Sequence, residues 1–142
     1  MTENNTAENN TTENTPGVWA CLSYNDAEAA RVFLTEVLGF TEALTVRDEN
    51  DKTRIVHAEV KWPEGGGIMY GSGGTHPDYP QPVPGTQWVY VVTKDVDAVH
   101  KRVVEAGGKV VTEPQDTDYG SRSVAIADPE GNVWTFGTYA GA

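Results

Sequence analysis

His57 and Glu59 stand two residues apart in the run from Arg54 to Trp62, where small apolar and larger polar side chains alternate. A period of two is the signature of a β-strand, and residues i and i+2 then share a face. Val56, Ala58 and Val60 claim the buried face, which leaves Ile55, His57 and Glu59 on the open one. An imidazole beside a carboxylate is a general base with a partner that can orient it or act as an acid. Within this set His57 alone titrates near neutral pH in an ordinary environment. The same reasoning applied to Arg122–Ala127 puts Val124 and Ile126 in the core and turns Ser123, Ala125 and Ala127 outward. The plainer alternative is a solvent-exposed His–Glu pair on an outer strand.

The elements that must hold these residues occur twice. Trp19 to Gly39 reads WACLSYNDAEAARVFLTEVLG, and Trp88 to Gly108 reads WVYVVTKDVDAVHKRVVEAGG. Each copy is an apolar run, an acidic turn, a helical pattern and a glycine stop. In each, the opening Trp precedes the turn Asp by seven residues (Trp19 and Asp26, Trp88 and Asp95). Such a repeat fixes the architecture before any local reading. In the first copy, Asn25 or Asp26 caps a helix whose Ala30, Phe33, Leu34, Val37 and Leu38 fall at i, i+3, i+4, i+7 and i+8. Strands are expected at 18–24, 41–46, 54–62 and 68–71, with a charged hairpin turn at 47–52. The second copy predicts a strand at 88–92, a helix at 96–106, a short strand at 109–112, a loop at 114–120, and strands at 122–127 and 133–139. Arg122 falls on the core side and is expected in a structural salt bridge. The fold class is α+β, with two tandem βαβββ modules. The expected division is an Asn/Thr/Glu-rich disordered tail over 1–16 and a single domain over 17–142. That domain comprises module one (17–72), a Pro- and Gly-rich linker (73–86) and module two (87–142).

Composition narrows the function. With 142 residues and 38% hydrophobic content the chain can bury a proper core. The net charge of −11 and the absence of a basic stripe speak against nucleic acid as a partner. No apolar run approaches the roughly 20 residues of a membrane span, so no membrane partner is expected. The N-terminal residues lack the basic and apolar regions of a secretory signal, and the single Cys21 allows no internal disulfide. A cytoplasmic location is the expectation. Cys21 itself reads as an inert buried thiol, and His76 and His100 as linker and helix-surface residues.

Laid over each other, the copies resemble the vicinal oxygen chelate superfamily of glyoxalase I, bleomycin-resistance proteins and extradiol dioxygenases. The carrying segments are DVDAV with its following GG, YGSR, DPEGNVWTF, HAEV and GGGIMYGS. The resemblance implies a curved, cleft-bearing mixed sheet and a symmetric homodimer. Metal-using members take ligands from the first and last strand of each module, which here correspond to Trp19, Met69, Trp88 and Thr135. None is an imidazole or carboxylate donor. The resemblance therefore implies no metal and no cofactor, and it sets aside the glyoxalase and dioxygenase chemistries, which need the metal. What remains is similar to the non-metal, bleomycin-resistance type.

With Trp19 and Trp88 taken as facing the cleft, alternation adds Cys21 and Ser23 beside Trp19, and Tyr90 and Val92 beside Trp88. Ala20, Leu22, Tyr24, Val89 and Val91 then meet the helices. The candidate ligand-binding set is Trp19, Cys21, His57, Glu59, Met69, Trp88, Tyr90, Ser123 and Thr135, an apolar and aromatic wall with a few polar groups. The expected function is metal-independent binding of a hydrophobic or aromatic small molecule, a cationic one included, with drug self-resistance its most concrete form. The alternative is a metal-independent isomerase or lyase using His57 as general base with Glu59. A third reading is an inactive scaffold acting through its dimer surface. Trp19 and Trp88 could also simply fill the space of a lost metal, and Met69 could be core filler.

Overall fold

The computed structural model describes residues 15–74, 78, 80 and 82–142. The expected tail over 1–16 and His76 thus fall almost wholly outside the described residues. The chain runs β1 (Ala20–Tyr24), α1 (Ala27–Val32, continued by a π-helical turn, Phe33–Leu38), β2 (Thr41–Arg47), β3 (Ile55–Lys61) and β4 (Gly67–Ser72). The second half repeats this plan with β5 (Trp88–Val92), α2 (Val96–Glu105), β6 (Lys109–Asp116), β7 (Arg122–Ala127) and β8 (Val133–Gly137). Two four-stranded mixed sheets result, ordered β1-β4-β3-β2 and β5-β8-β7-β6. In each, the first and last strands of the module pair in parallel while the remaining neighbours are antiparallel. This is the α+β plan of two βαβββ modules that the repeat predicts.

The helices form where capping and apolar spacing agree. Asp26 and Asp95 each accept the N–H three residues on, from Ala29 and Ala98, at 3.0 Å. Behind those caps, Ala27, Ala30, Leu34 and Leu38 of α1 and Val96, Val99 and Val103 of α2 are buried. They join Leu22, Tyr24, Ala58, Val60, Ile68 and Tyr70 of the first sheet and Val124, Ile126, Trp134 and Phe136 of the second in one core. Each sheet therefore has one face on the helices and one open face.

Three expectations need correction. Ile55 is fully buried rather than facing the open side, and Val56 is only half-buried. The cause is a bulge: Val46 pairs with His57 and Arg47 with Ile55, so Val56 is left out of the ladder and the alternation inverts before it. The strand after α2 is also longer than the short 109–112 segment expected, reaching Asp116 through Pro114. It lies at the sheet edge and carries register shifts on both sides of Thr112, the setting in which a strand accepts proline. Within the first strand Leu22 and Tyr24 are buried as expected, but Ala20 is exposed.

The modules grip each other reciprocally. Both carry the tripeptide ProGluGly in the turn before their last strand, at 63–65 and 129–131. Glu130 accepts the N–H groups of Asn25 (2.8 Å) and Asp26 (2.7 Å) at the head of α1. Glu64 accepts the Thr93 hydroxyl (2.7 Å) and the Lys94 N–H (2.8 Å) before α2. Arg102 of α2 in turn donates to the Val37 and Leu38 carbonyls at the end of α1. Between these polar contacts, Trp62 meets Phe40 at 4.9 Å and Phe136 at 5.5 Å between ring centroids. Because each glutamate accepts hydrogen bonds at the head of the other module's helix, Glu130→Ala is expected to cost about 0.5–1.5 kcal/mol. Glu64→Ala should cost a similar amount, both read from urea unfolding midpoints. Wild-type midpoints in both variants would show that the grip is carried by the aromatic contacts alone.

Two buried phenols add a pH dependence. Tyr24, which donates to Asp128 at 2.8 Å, is held far above the ordinary phenol range by burial and then by the Asp128 charge. Tyr70 is pushed up to about 12, chiefly by burial. Raised values mean that the folded chain holds these protons more tightly. The contribution is complete below the ordinary phenol value of about 10 and is lost as pH rises through the folded values. Stability is expected to fall above about pH 10, and less steeply in Tyr24→Phe. Parallel slopes for the two proteins would contradict this.

Candidate functional site

On the open face of the first sheet, strand register sets Leu44, Glu59, Met69 and Cys21 in one row across four strands. Val46 and His57 form the next row. The His57 imidazole Nε2 lies 2.8 Å from Glu59 Oε2, so the expected pair forms. Cys21 is exposed at this face, which corrects the expectation of a buried thiol: it sits on an edge strand, on the side away from α1. Ser23, on the same face by alternation, is buried, and its Oγ has no hydrogen-bond partner. Just before β1, the Trp19 ring lies against Gly67, where a Cβ would overlap the indole.

The second sheet presents Trp88, Tyr90, Thr135 and Ser123. Trp88 pairs in register with Val133, Tyr90 with Thr135, and Thr135 with Ala125; Ser123 lies opposite Gly137. The Trp88 indole Nε1 donates to Thr135 Oγ1 at 3.0 Å, yet the residue remains 76% exposed. Its ring is thus pinned at one edge while a face stays open to solvent. Tyr90 donates to the Tyr139 carbonyl at 2.8 Å, and partial burial, then the nearby Tyr119, hold its phenol above the ordinary range. Ala127, expected on the open side, is buried. Arg122 makes its expected structural contacts, with Asp97 at 2.9 Å and Asp116 at 3.1 Å, on the helix side of the sheet.

The nine predicted residues therefore form two groups, one per sheet. Trp19, Cys21, His57, Glu59 and Met69 lie in module one, and Trp88, Tyr90, Ser123 and Thr135 in module two. Among the described residues no hydrogen bond, ion pair or ring contact joins the groups, and the strands bearing Cys21 and Tyr90 are sheet edges. Exposed Leu44 and Val46 were missed beside Glu59 and His57. Their alternation in 41–46 is visible in the sequence, but only the pairing register tells which face they take. A separate open groove of about 910 Å³ runs between the start of α1 and the β2–β3 hairpin. It holds none of the predicted residues, and Arg47 within it is engaged by Glu28 at 2.6 Å and by the Lys52 carbonyl at 3.0 Å.

The donor chemistry does not suit a divalent metal. Of the four positions that correspond to ligands in metal-using relatives, two are indoles and one is a thioether. The fourth, the Thr135 hydroxyl, is taken up by Trp88. Among the described residues no group of three His, Cys, Asp or Glu side chains is placed to hold an ion.

Residues 18–136 match the model of the Glyoxalase/Bleomycin resistance protein/Dioxygenase superfamily, and the chain belongs to that family. Among solved structures, TioX from Micromonospora sp. ML1 superposes with a TM-score of 0.68 at 31% identity, over 85% of this chain and 98% of that one. A glyoxalase/bleomycin resistance protein from Streptomyces sp. CB03234 does so with a TM-score of 0.60 at 27% identity, over 84% and 98%. The anthracycline biosynthesis protein DauV of Streptomyces sp. (strain C5) is 41% identical over 63 residues, 42% of this chain and 23% of that protein. CFP32 of Mycobacterium tuberculosis is 28% identical over 119 residues, 83% of this chain and 42% of that protein. The chain spans less than half the length of the curated relatives it matches. No described helix is long and apolar enough to cross a membrane.

The exposure of Cys21 has a direct check. One thiol per chain is expected to react with Ellman's reagent in the native protein at a rate close to that in urea. Reaction only after unfolding would mean that Cys21 is covered in solution.

Proposed function

We propose that this protein is a metal-independent small-molecule binding protein that holds a hydrophobic or aromatic ligand against its open sheet faces. Drug self-resistance by sequestration is the most concrete form of that role. The carrying observation is Trp88, whose indole is fixed by its bond to Thr135 while a ring face stays open. A held, exposed indole is a stacking platform, and edge pinning lowers the ordering cost of using it. The substitution of weak donors at the four family ligand positions supports a site that recognises its ligand by apolar contact rather than through a metal. TioX and the glyoxalase/bleomycin resistance protein above share the fold over nearly their whole lengths, and DauV carries a related segment in a protein named for anthracycline biosynthesis. A homodimer fits this reading, because β1 and β5 are edge strands, each with one side unpaired within its sheet, and a second copy could cover them.

A second reading rests on the 2.8 Å contact between His57 and Glu59. In it, His57 is a general base held by Glu59, for isomerisation of or elimination from an activated substrate. Binding without turnover favours the first reading, and product formation that is lost in His57→Ala favours the second.

Titration of the full chain with naphthol, followed by tryptophan fluorescence, tests the stacking platform. Trp88→Ala is expected to weaken binding by about 0.5–1.5 kcal/mol, equally at pH 6 and pH 8. His57→Ala is expected to weaken binding of a ligand that carries a polar group by about 1–3 kcal/mol. Unchanged naphthol affinity in Trp88→Ala would remove Trp88 from the site.

A further inference from the structure

Tyr90, Tyr119 and Tyr139 reach one end of the second sheet from three separate segments: β5, the turn between β6 and β7, and the residues after β8. The rings of Tyr119 and Tyr139 meet edge to face, with centroids 6.3 Å apart and planes at 83°. Tyr90 joins them through its hydroxyl, which donates to the Tyr139 carbonyl at 2.8 Å. Its ring lies across Gly137, and a Cβ there would overlap the phenol, so the missing side chain is what lets the ring lie down on β8. None of the three packs into the core: Tyr90 is 45%, Tyr119 70% and Tyr139 50% exposed.

Three large rings gathered at the surface, on the same sheet face as Trp88, are more than scattered apolar exposure. The charges nearest them are one-sided, because Lys109, on this face by register, lies in the row of Trp88 toward the other end of the sheet. Ser123, Gln115 and Thr135, on the same face by register, are neutral. Arg122 is turned to the other side of the sheet and engaged by Asp97 and Asp116. Asp118, next to Tyr119 in the turn, has no partner among the described residues, and the chain as a whole carries −11. Aromatic faces carry the negative end of the ring quadrupole and attract a cation within about 6 Å of the centroid. Here the cluster has faces and an acidic neighbour but no cation of its own.

We propose that Tyr90, Tyr119 and Tyr139 form a subsite for a protonated or quaternary ammonium group, carried by the small molecule whose apolar part rests on Trp88. The inference builds on the binding function proposed above and narrows its ligand to a cationic one. The two residues beyond the predicted set, Tyr119 and Tyr139, become determinants of specificity. Tyr90 links them to the stacking platform, since it stands two residues from Trp88 on one strand face.

The test compares choline with its uncharged tert-butyl analogue, in which carbon replaces the ammonium nitrogen, each titrated into the full chain and followed by NMR shifts of the tyrosine rings. Choline is expected to bind about 3–30 times more tightly than the analogue. Tyr119→Leu and Tyr139→Leu keep apolar volume but remove the ring faces, and each should bring choline down to the level of the analogue. Equal affinity of the two probes for the wild type, or a preference for choline that survives in the Tyr119→Leu/Tyr139→Leu double variant, would overturn the proposal. Naphthol separates the two claims. If naphthol binds through Trp88 and choline is not preferred, the subsite fails alone; if neither binds, both claims fail.

Discussion

The Asp128 carboxylate is buried where the two modules meet, and much of the structure hangs on how it is satisfied. It accepts from the Tyr24 hydroxyl, the Glu130 and Asn132 N–H groups, the Asn132 amide and the Trp134 indole, at 2.8 to 3.1 Å. An isolated buried carboxylate would be costly, and several aimed donors offset that cost. Those donors fix the turn 128–132, and the turn puts Glu130 at the head of α1. They also set Trp134, and with it the strand that carries Thr135 on its opposite face. The position of Thr135 decides where the Trp88 indole is held. A polar network inside the core thus determines an aromatic platform outside it.

Module one does the same job by different means. Glu64 caps the second helix as Glu130 caps the first, but Trp62 stands where the repeat would put the buried aspartate. Trp62 fills the space with ring contacts and sends its indole N–H to the Val92 carbonyl at 2.7 Å. The two modules have therefore diverged in how they are packed while keeping the same reciprocal caps. Their open faces have diverged too. One offers His57 and Glu59 beside Met69 and Cys21; the other is aromatic, with Trp88 and the three tyrosines.

The repeat made the βαβββ plan legible, because caps, apolar spacing and ProGluGly turns agree locally with the fold. Alternation placed His57, Glu59, Ser123 and the core residues Ala58, Val60, Val124 and Ile126 on their observed faces. It failed at Ile55 for a physical reason: a bulge at Val56 inserts one residue, and nothing in the residue types around it announces that. Ser23 and Ala127 keep the face that alternation gives them, but their neighbours cover them, and a period of two does not report exposure. Tyr119 and Tyr139 were out of reach for another reason. They belong to a turn and a strand end, where no period assigns direction, and only the fold brings them to Tyr90.

In the proposed function, recognition rests on aromatic and apolar contact, with no metal needed. The most direct measurement is the affinity of naphthol for the full chain after exhaustive dialysis against EDTA, and again with excess zinc, nickel or ferrous ion. The same dissociation constant is expected in every case. Binding that disappears with the chelator and returns with one of the ions would contradict it.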